Sequence, residues 1–469
     1  MTFAFFYRAS LGGPDERREQ KFATLVGESF LNVTHKYFTH TFFLPFGSFM
    51  LPAVFPTLQN RLNSLIWYMV HLNGEDRSMD HDRFSQSKLD YHLLFLLFLM
   101  AVVSAIAIHS AEPMLPEKLQ NVNFASKQLQ WYAIGAVVIA LTMIIDYDRL
   151  FQIAWYLYGF GMLLLLGLEL NVPGSVTIKG ATSWYHLPGG NFQPSELMKI
   201  FMIIVLSRII VNHREKYPEP MIRDDFKLLG KIALTVLPPL ILLAKQPDMG
   251  MSMVFTAITA TLVLVSGIRW RIIFGIVFSG VAAVASIVFI YFYFPDFFHK
   301  YIIEEDYQLN RFYGWLAPYE YSTDQGFQLI RSLMAIGSGE LYGKGLGNLQ
   351  VYLPEAHTDF IFGVIAEQFG FVGSSIVVSL FFLLVYRMVH IALESNDLYG
   401  SYLCAGVVGM ITFQVFQNIG MTIGLLPITG LPLPFISYGG SSLATYMLAI
   451  GLVLNVHSRT RKFMFASDE

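Results

Sequence analysis

The sequence predicts an all-α, polytopic membrane protein with about ten transmembrane helices. Of its 469 residues, 54% are hydrophobic and only 14% charged, whereas a soluble domain carries about 25% charge. Residues 91–111, 128–145, 150–168, 249–268 and 272–295 contain no Asp, Glu, Lys or Arg. Each run is close to the roughly 20 residues that a helix needs to cross about 30 Å of hydrocarbon. The runs are solidly apolar and lack the period-2 alternation of a closed barrel, the other architecture that satisfies its backbone in lipid.

Residues 1–90 fit this pattern poorly. The uncharged stretch 37–59 is interrupted by Pro45, Pro52 and Pro56, and 71–91 is polar and charged. Met1–Tyr7 has no basic run of the kind that opens a signal peptide. The expectation is an N-terminal extension, cytosolic, disordered or partly membrane-associated. From residue 91 to 465 the chain reads as one membrane domain. Shorter or charge-bearing candidates at 195–210, 232–244 and 360–386 join the five clean runs, and the stretch 398–458 reads as two spans around "NIGMTIGLLPITGLPLPFISYGG". With ten spans counted from residue 91, Arg149, Arg208, Arg214, Lys216, Arg223, Lys227, Arg269, Arg271, Arg387, Arg459, Arg461 and Lys462 share one side. The positive-inside rule makes that side cytoplasmic, with both ends of the core inside. A formal net charge of −3 gives no footprint for nucleic acid, and the single cysteine, Cys404, allows no intrachain disulfide.

Three loops fall on the opposite, outward side. "NVPGSVTIKGATSWYHLPGGNFQPSE" (171–196) mixes glycine, proline and aromatics. The long loop 295–358 holds a short helical candidate at 325–335, and structureless loops of such length are usually functional. The third, 420–441, is almost wholly apolar, so it is expected to fold back into the protein.

Chemistry-bearing residues gather in these loops. Asp359 precedes an apolar helix in "LPEAHTDFIFGVIAEQFGFVG" (353–373). It could cap that helix, or act as a general base on a sugar hydroxyl, held in place by Glu355 and His357. The same three residues could instead gather a divalent cation, Mg2+ or Mn2+, although their spacing is weak evidence for one. In "QPSELMKI" (193–200), Glu196 and Lys199 lie three apart on one helix face, close enough to pair. Such a pair either lines a functional cavity or fixes one helix to its neighbours. Gln193 opens the same motif. Lys179 and Lys245 lie near the outward ends of their spans, where each could meet a lipid phosphate or only snorkel, and Arg311 and Arg331 in the long loop are better placed for a diphosphate. Ser437, Gly439 and Gly440 in "ISYGGSS" (436–442) mark close helix packing or a place where substrate approaches backbone. "GKGLG" (343–347) lacks the full phosphate-loop frame and reads as a turn. Glu367, two helical turns beyond Asp359, reads as a buried hydrogen-bonding partner. These residues alone leave a lipid-handling enzyme and a transporter both open.

"FQPSE" with its following Lys, "PEAHTDFIF", "GKGLG" and "GLLPITGLPLPFISYGGSS" stand in register over about 91–465. Together they resemble the shape, elongation, division and sporulation family of bacterial cell-wall polymerases. The resemblance implies a ten-span fold and a glycosyltransferase that polymerises lipid II, with undecaprenyl-diphosphate-linked glycan as donor, at the outer face of the cytoplasmic membrane. It maps the catalytic acid onto Asp359 and a pair in the fourth span onto Glu196 and Lys199. It also implies a class B penicillin-binding protein as transpeptidase partner, together with the elongation machinery and membrane lipid. The "WYHLPGG" variant is more similar to the rod-elongation branch than to the division or sporulation branches. A lipid II flippase remains the alternative from another class.

Overall fold

The computed structural model describes residues 89–116, 122–178, 181–187, 190–246, 248–294, 312–321 and 325–463. The expected N-terminal extension, apart from its last two residues, lies outside the described residues, as do Lys179, Arg311 and the start of the long loop. The helices are α1 (Tyr91–Ala111), α2 (Phe124–Ile144), α3 (Tyr147–Glu169), α4 (Pro194–Lys216), α5 (Ile222–Lys245), α6 (Met249–Val265), α7 (Trp270–Tyr293), α8 (Gln325–Ser338), α9 (Ile361–Glu394), α10 (Leu398–Thr422) and α11 (Gly440–Phe463).

Among the described residues, eight helices are long and apolar enough to cross a membrane: α1, α2, α3, α5, α7, α9, α10 and α11. The other two expected spans are α4, which carries Glu196, Lys199 and Arg208, and α6, which has 17 residues. Helix α4 tolerates its charges because it sits at the centre of the bundle, packed by α3, α5, α6, α10 and α11, and is buried along nearly its whole length. Ionisable groups in a membrane helix face protein rather than lipid. Small residues permit the close approach: a side chain on Gly406 of α10 would come within 2.6 Å of Ile203 on α4. Helices α2 and α11 also pack closely, and α9 packs on α1 and α10.

One correction concerns the first outward loop. It forms a three-stranded antiparallel sheet, β1 (Ser175–Ile178), β2 (Ala181–Leu187) and β3 (Gly190–Phe192), in sequential order. Val176 pairs with Trp184 and Tyr185 with Phe192. The short β-branched and aromatic runs Ser-Val-Thr-Ile and Thr-Ser-Trp-Tyr favour strands, a signal hidden between the glycines. The Tyr185 hydroxyl donates to the Leu164 carbonyl at 3.0 Å and ties the sheet to α3.

Helix α9 is not continuous. Gly370 has φ 61° and ψ −157°, so a short segment, 361–369, precedes the span proper. Only glycine adopts that backbone without strain, and a side chain there would meet the Leu341 carbonyl at 2.6 Å. The turn holding "GKGLG" wraps this break. Glu367 Oε1 accepts from Lys344 Nζ at 2.6 Å and from the Gln350 and Val351 amides at 2.9 and 3.1 Å. Glu367 is therefore the buried hydrogen-bonding partner expected, its donors being Lys344 and two loop amides, and the glycine-rich turn is a docking element. Helix α7 is exposed along most of its length. Arg269 at its base donates to the Pro220 carbonyl at 2.6 Å, and Tyr291 near its far end meets Tyr313 at 2.8 Å.

At the basic end, Asp90 caps α1 through the Leu93 amide and receives Arg387 Nε of α9 at 2.7 Å. Burial works against the charge on Asp90, but Arg387 and the Leu93 amide outweigh it and hold the carboxyl below its usual range. A lowered folded value means that this stabilisation is complete above the ordinary carboxylate pKa and is lost as pH falls through the folded one. Asp90→Asn is expected to cost about 3 kcal/mol near pH 7, since it leaves a largely buried guanidinium uncompensated. Thermal unfolding in detergent should show the wild-type and variant midpoints converging as the pH is lowered below the carboxylate range. A gap that stays constant with pH would rule out the ionic clamp.

Candidate functional site

The site is built on the turns from Leu353 to Phe360 that end the long loop. Three successive carbonyls of this segment are each hydrogen-bonded from another part of the bundle. His357 O accepts the Tyr438 amide at 2.9 Å, Thr358 O accepts the Ser437 hydroxyl at 2.6 Å, and Asp359 O accepts the Asn418 side-chain amide at 2.8 Å. The donors are themselves held. Ser437 Oγ accepts the Leu433 amide at 2.8 Å, and Asn418 Nδ2 also donates to Leu431 O at 2.8 Å. Gln128 of α2, fully buried, donates to Ser437 O at 3.1 Å and to Ser104 Oγ at 3.2 Å. Asp359 is half-buried, and its Oδ2 lies 3.5 Å from where a side chain on Gly430 would begin. Gly430 has φ +72°, so glycine meets a backbone requirement and leaves space beside the carboxylate.

The loop 423–439 folds back into the protein as its composition predicts. Leu431, Leu433, Phe435 and Ile436 are buried. Their carbonyls find partners: Ser104 donates to Ile436 O at 2.7 Å, Tyr132 to Phe435 O, and Gln417 to Pro427 O at 3.1 Å. Two residues near the carboxylate hold positive φ without being glycine, Glu355 at 55° and Phe435 at 65°. Each such position costs about 1–3 kcal/mol and persists only where the surroundings impose it.

One layer below, Lys199 Nζ lies 2.8 Å from Glu196 Oε2, with both side chains almost wholly buried. The ammonium also sits 5.3 Å from the centre of the Tyr446 ring, whose hydroxyl receives Gln414 Nε2 at 3.0 Å. Tyr446 in turn packs 5.5 Å from Phe435 of the loop above. The pair therefore locks α4 to α10 and α11 beneath the carboxylate segment. At the head of α4, Gln193 Nε2 donates to Asp248 at 3.0 Å, and the Gln193 amide donates to Ser441 Oγ at 3.3 Å.

Comparison with known proteins places this geometry. The model of the FtsW, RodA and SpoVE proteins, described as cell cycle proteins, matches residues 91–462. The chain belongs to the FtsW/RodA/SpoVE family. It is 34% identical over 384 residues to the probable peptidoglycan glycosyltransferase FtsW of Geobacter metallireducens, covering 79% of this chain and 96% of that one. It is 33% identical over 377 residues to the peptidoglycan glycosyltransferase MrdB of Escherichia coli, covering 80% of this chain and 94% of that one. A solved structure entitled "Structural coordination of polymerization and crosslinking by a peptidoglycan synthase complex" superposes with a TM-score of 0.65 at 31% identity, over 79% of this chain and 98% of that one.

Within this FtsW/RodA/SpoVE-type bundle the expected site residues divide. Asp359, Glu355, His357 and Ser437 share one connected segment pair. The cap position of α9 is Phe360, one residue after Asp359. His357 packs its ring 4.9 Å from Phe124 and 5.8 Å from Tyr438, and Glu355 accepts the Thr358 hydroxyl at 3.1 Å. Gly440 admits the Trp131 ring, which would lie 2.3 Å from a side chain there, and Gly439 N donates to Gln128 Oε1 at 3.5 Å. Both glycines read as packing positions. Arg331 on α8 stands 5.1 Å from its own Phe327 ring, and Lys245 pairs with Glu169 at 3.3 Å. Among the described residues no three His, Cys, Asp or Glu gather into a cluster that could by itself hold a metal ion.

Charge-based reading of the sequence missed Asn418, Gln414, Gln417, Gln128 and Asp248. The first three lie on one face of α10, fully buried, in the run "FQVFQNIG". Neutral amides inside an otherwise apolar span were the available signal.

Asn418→Leu is expected to destabilise the protein by about 1–3 kcal/mol, because it strands two buried carbonyls. Hydrogen exchange should rise selectively over 353–360 and 430–433, and unchanged protection there would count against the bracing role. Glu367→Gln should free Lys344 and raise proteolysis within 343–351 while leaving the α11 region protected; equal cleavage in both proteins would refute that docking.

Proposed function

We propose that this chain is a peptidoglycan glycosyltransferase that polymerises lipid II at the outer face of the cytoplasmic membrane, with Asp359 as general base. The observation that carries the reading is the half-buried carboxylate on a segment braced at three consecutive carbonyls, in a chain of this family. A base held by its surroundings needs no reorganisation when the proton moves. The positive-inside rule puts the basic ends of α4, α5, α9 and α11 in the cytoplasm, and so assigns the Asp359 end to the outer face.

In the reaction, Asp359 takes the proton of the 4-hydroxyl of the lipid II N-acetylglucosamine as that oxygen attacks the anomeric carbon of the growing glycan. The bond from that carbon to the diphosphate breaks, and undecaprenyl diphosphate leaves with the electron pair. Inversion turns the α-diphosphate into a β-1,4 link. Arg331 is the described cation best placed in the sequence to offset charge on the leaving group, with Arg311 and Lys179 as further candidates. Lys199 is committed to Glu196 and serves position.

A crosslinking partner, a class B penicillin-binding protein, fits the same reading, because the similar solved complex is described as coordinating polymerisation with crosslinking. The "WYHLPGG" sequence supports placement in the elongation branch, although identities of 34% and 33% to FtsW and MrdB do not separate the branches. A flippase is the less favoured reading, since the candidate polar centre lies at one end of the bundle rather than at mid-depth.

With purified lipid II, Asp359→Asn should lower the polymerisation rate by at least about 100-fold, the low end of general-base contributions. Its elution and thermal midpoint should match the wild type. Polymer formed at near wild-type rate by Asp359→Asn would end the general-base assignment.

A further inference from the structure

Phe435 of the returning loop stands in the left-handed region, with φ 65°, and is 1% exposed. Where the same loop needs positive φ elsewhere it uses glycine, at Gly424 and Gly430. A phenylalanine keeps such a backbone only where its surroundings impose it. We propose that Tyr132 and Ser104 are positioning residues that hold Phe435 in this conformation and so deliver the two loop donors that brace the Asp359 segment. The inference rests on the polymerase reading above and adds what sets its base in place.

Three observations carry it. First, three successive carbonyls of the loop are held from α1 and α2. Tyr132 donates to Phe435 O, Ser104 to Ile436 O at 2.7 Å and Gln128 to Ser437 O at 3.1 Å. Tyr132 and Gln128 lie four residues apart, on one face of α2, and Gln128 also donates to Ser104 Oγ at 3.2 Å. The three donors therefore act as one group. Second, the turn around Phe435 aims the bracing donors. The Ile436 and Ser437 amides donate to Leu433 O at 3.2 and 3.0 Å, and the Leu433 amide donates to Ser437 Oγ at 2.8 Å. From this turn the Ser437 hydroxyl reaches Thr358 O and the Tyr438 amide reaches His357 O. A change in the sign of φ at Phe435 would redirect both. Third, glycine cannot replace the phenylalanine without loss. Its ring packs 5.5 Å from Tyr446, which lies 5.3 Å from Lys199 Nζ. The position must supply a buried ring to the layer of the ion pair and a left-handed backbone to the layer of the carboxylate. The donors on α1 and α2 reconcile the two demands. Without the Tyr132 hydroxyl, φ at Phe435 is free to relax, and Asn418 remains as the one brace of the Asp359 segment that does not pass through this turn.

The test uses the full-length protein in nanodiscs supplied with lipid II. Tyr132→Phe removes one hydroxyl. It should lower kcat about tenfold, since displacing a reacting group by about 1 Å costs on the order of 100-fold. KM for lipid II should stay within about twofold, as expected when ground-state binding is untouched. Hydrogen exchange should rise over 433–438 and 357–360. In a Phe435→Gly background positive φ carries no strain, so adding Tyr132→Phe should change kcat by less than about twofold. The same cost in both backgrounds would show that the hydroxyl only satisfies a buried carbonyl, and would overturn the proposal. If Phe435→Gly does not fold, exchange in Tyr132→Phe decides alone, and unchanged protection over 357–360 overturns it. Wild-type protein that forms no polymer would remove the polymerase reading, with the exchange result still deciding the brace. A Tyr132→Phe protein that loosens 357–360 yet polymerises at the wild-type rate would remove the positioning role and leave the polymerase.

Discussion

Hydrogen bonds onto the successive carbonyls of His357, Thr358 and Asp359 are the constraint on which the rest of that end of the bundle depends. A loop carrying a carboxylate at the edge of a membrane has no regular ladder to fix it, and its carbonyls would otherwise turn toward water. Here they are claimed by Tyr438, Ser437 and Asn418, which belong to the returning loop and to α10. The returning loop can donate because its own carbonyls are claimed by Ser104, Tyr132, Gln128 and Gln417. Removing one donor strands a buried acceptor, which costs more than the net value of the bond itself.

The bundle solves a second problem beneath this layer. A charged pair at the centre of a membrane protein is expensive unless its partners are fixed. Helix α4 places Glu196 and Lys199 one turn apart, and Tyr446 closes over the ammonium while Gln414 orients the phenol. The pair thus specifies how α4, α10 and α11 meet, and those helices supply Asn418 and the anchor of the returning loop. Position at the surface is inherited from pairing in the interior.

Much of this was legible in the sequence for identifiable reasons. Spans were visible because lipid demands long uncharged runs, and the inward fold of 420–441 was visible because an apolar loop cannot stand in water. Asp359, Glu196 and Lys199 were visible because charge is scarce in such a chain. The bracing residues were hidden by the same logic, since Asn418, Gln414 and Gln128 are neutral and leave an apolar run apparently clean. The small sheet at 175–192 was hidden because its strands are only a few residues long between glycines. The role of Glu367 was half legible: its burial could be read from its place in a span, but its partner Lys344 lies 23 residues away across a turn.

The break at Gly370 bears on mechanics. Because φ at this residue is positive, the segment 361–369 and the remainder of α9 are separate rods, and Glu367 fastens the first rod to the turn at 344–351. Helices tilt to match the hydrocarbon thickness around them. A single rigid α9 would convert such tilting into displacement of Asp359. The break instead gives the short rod its own direction, and the glycine-rich turn holds both sides of it: the Lys344 and Gly345 amides donate to the Glu367 and Gln368 carbonyls, and the Phe371 and Val372 amides to the Glu340 and Leu341 carbonyls. The rod that follows Asp359 is thereby aimed by a turn of the chain and not by the axis of the long span.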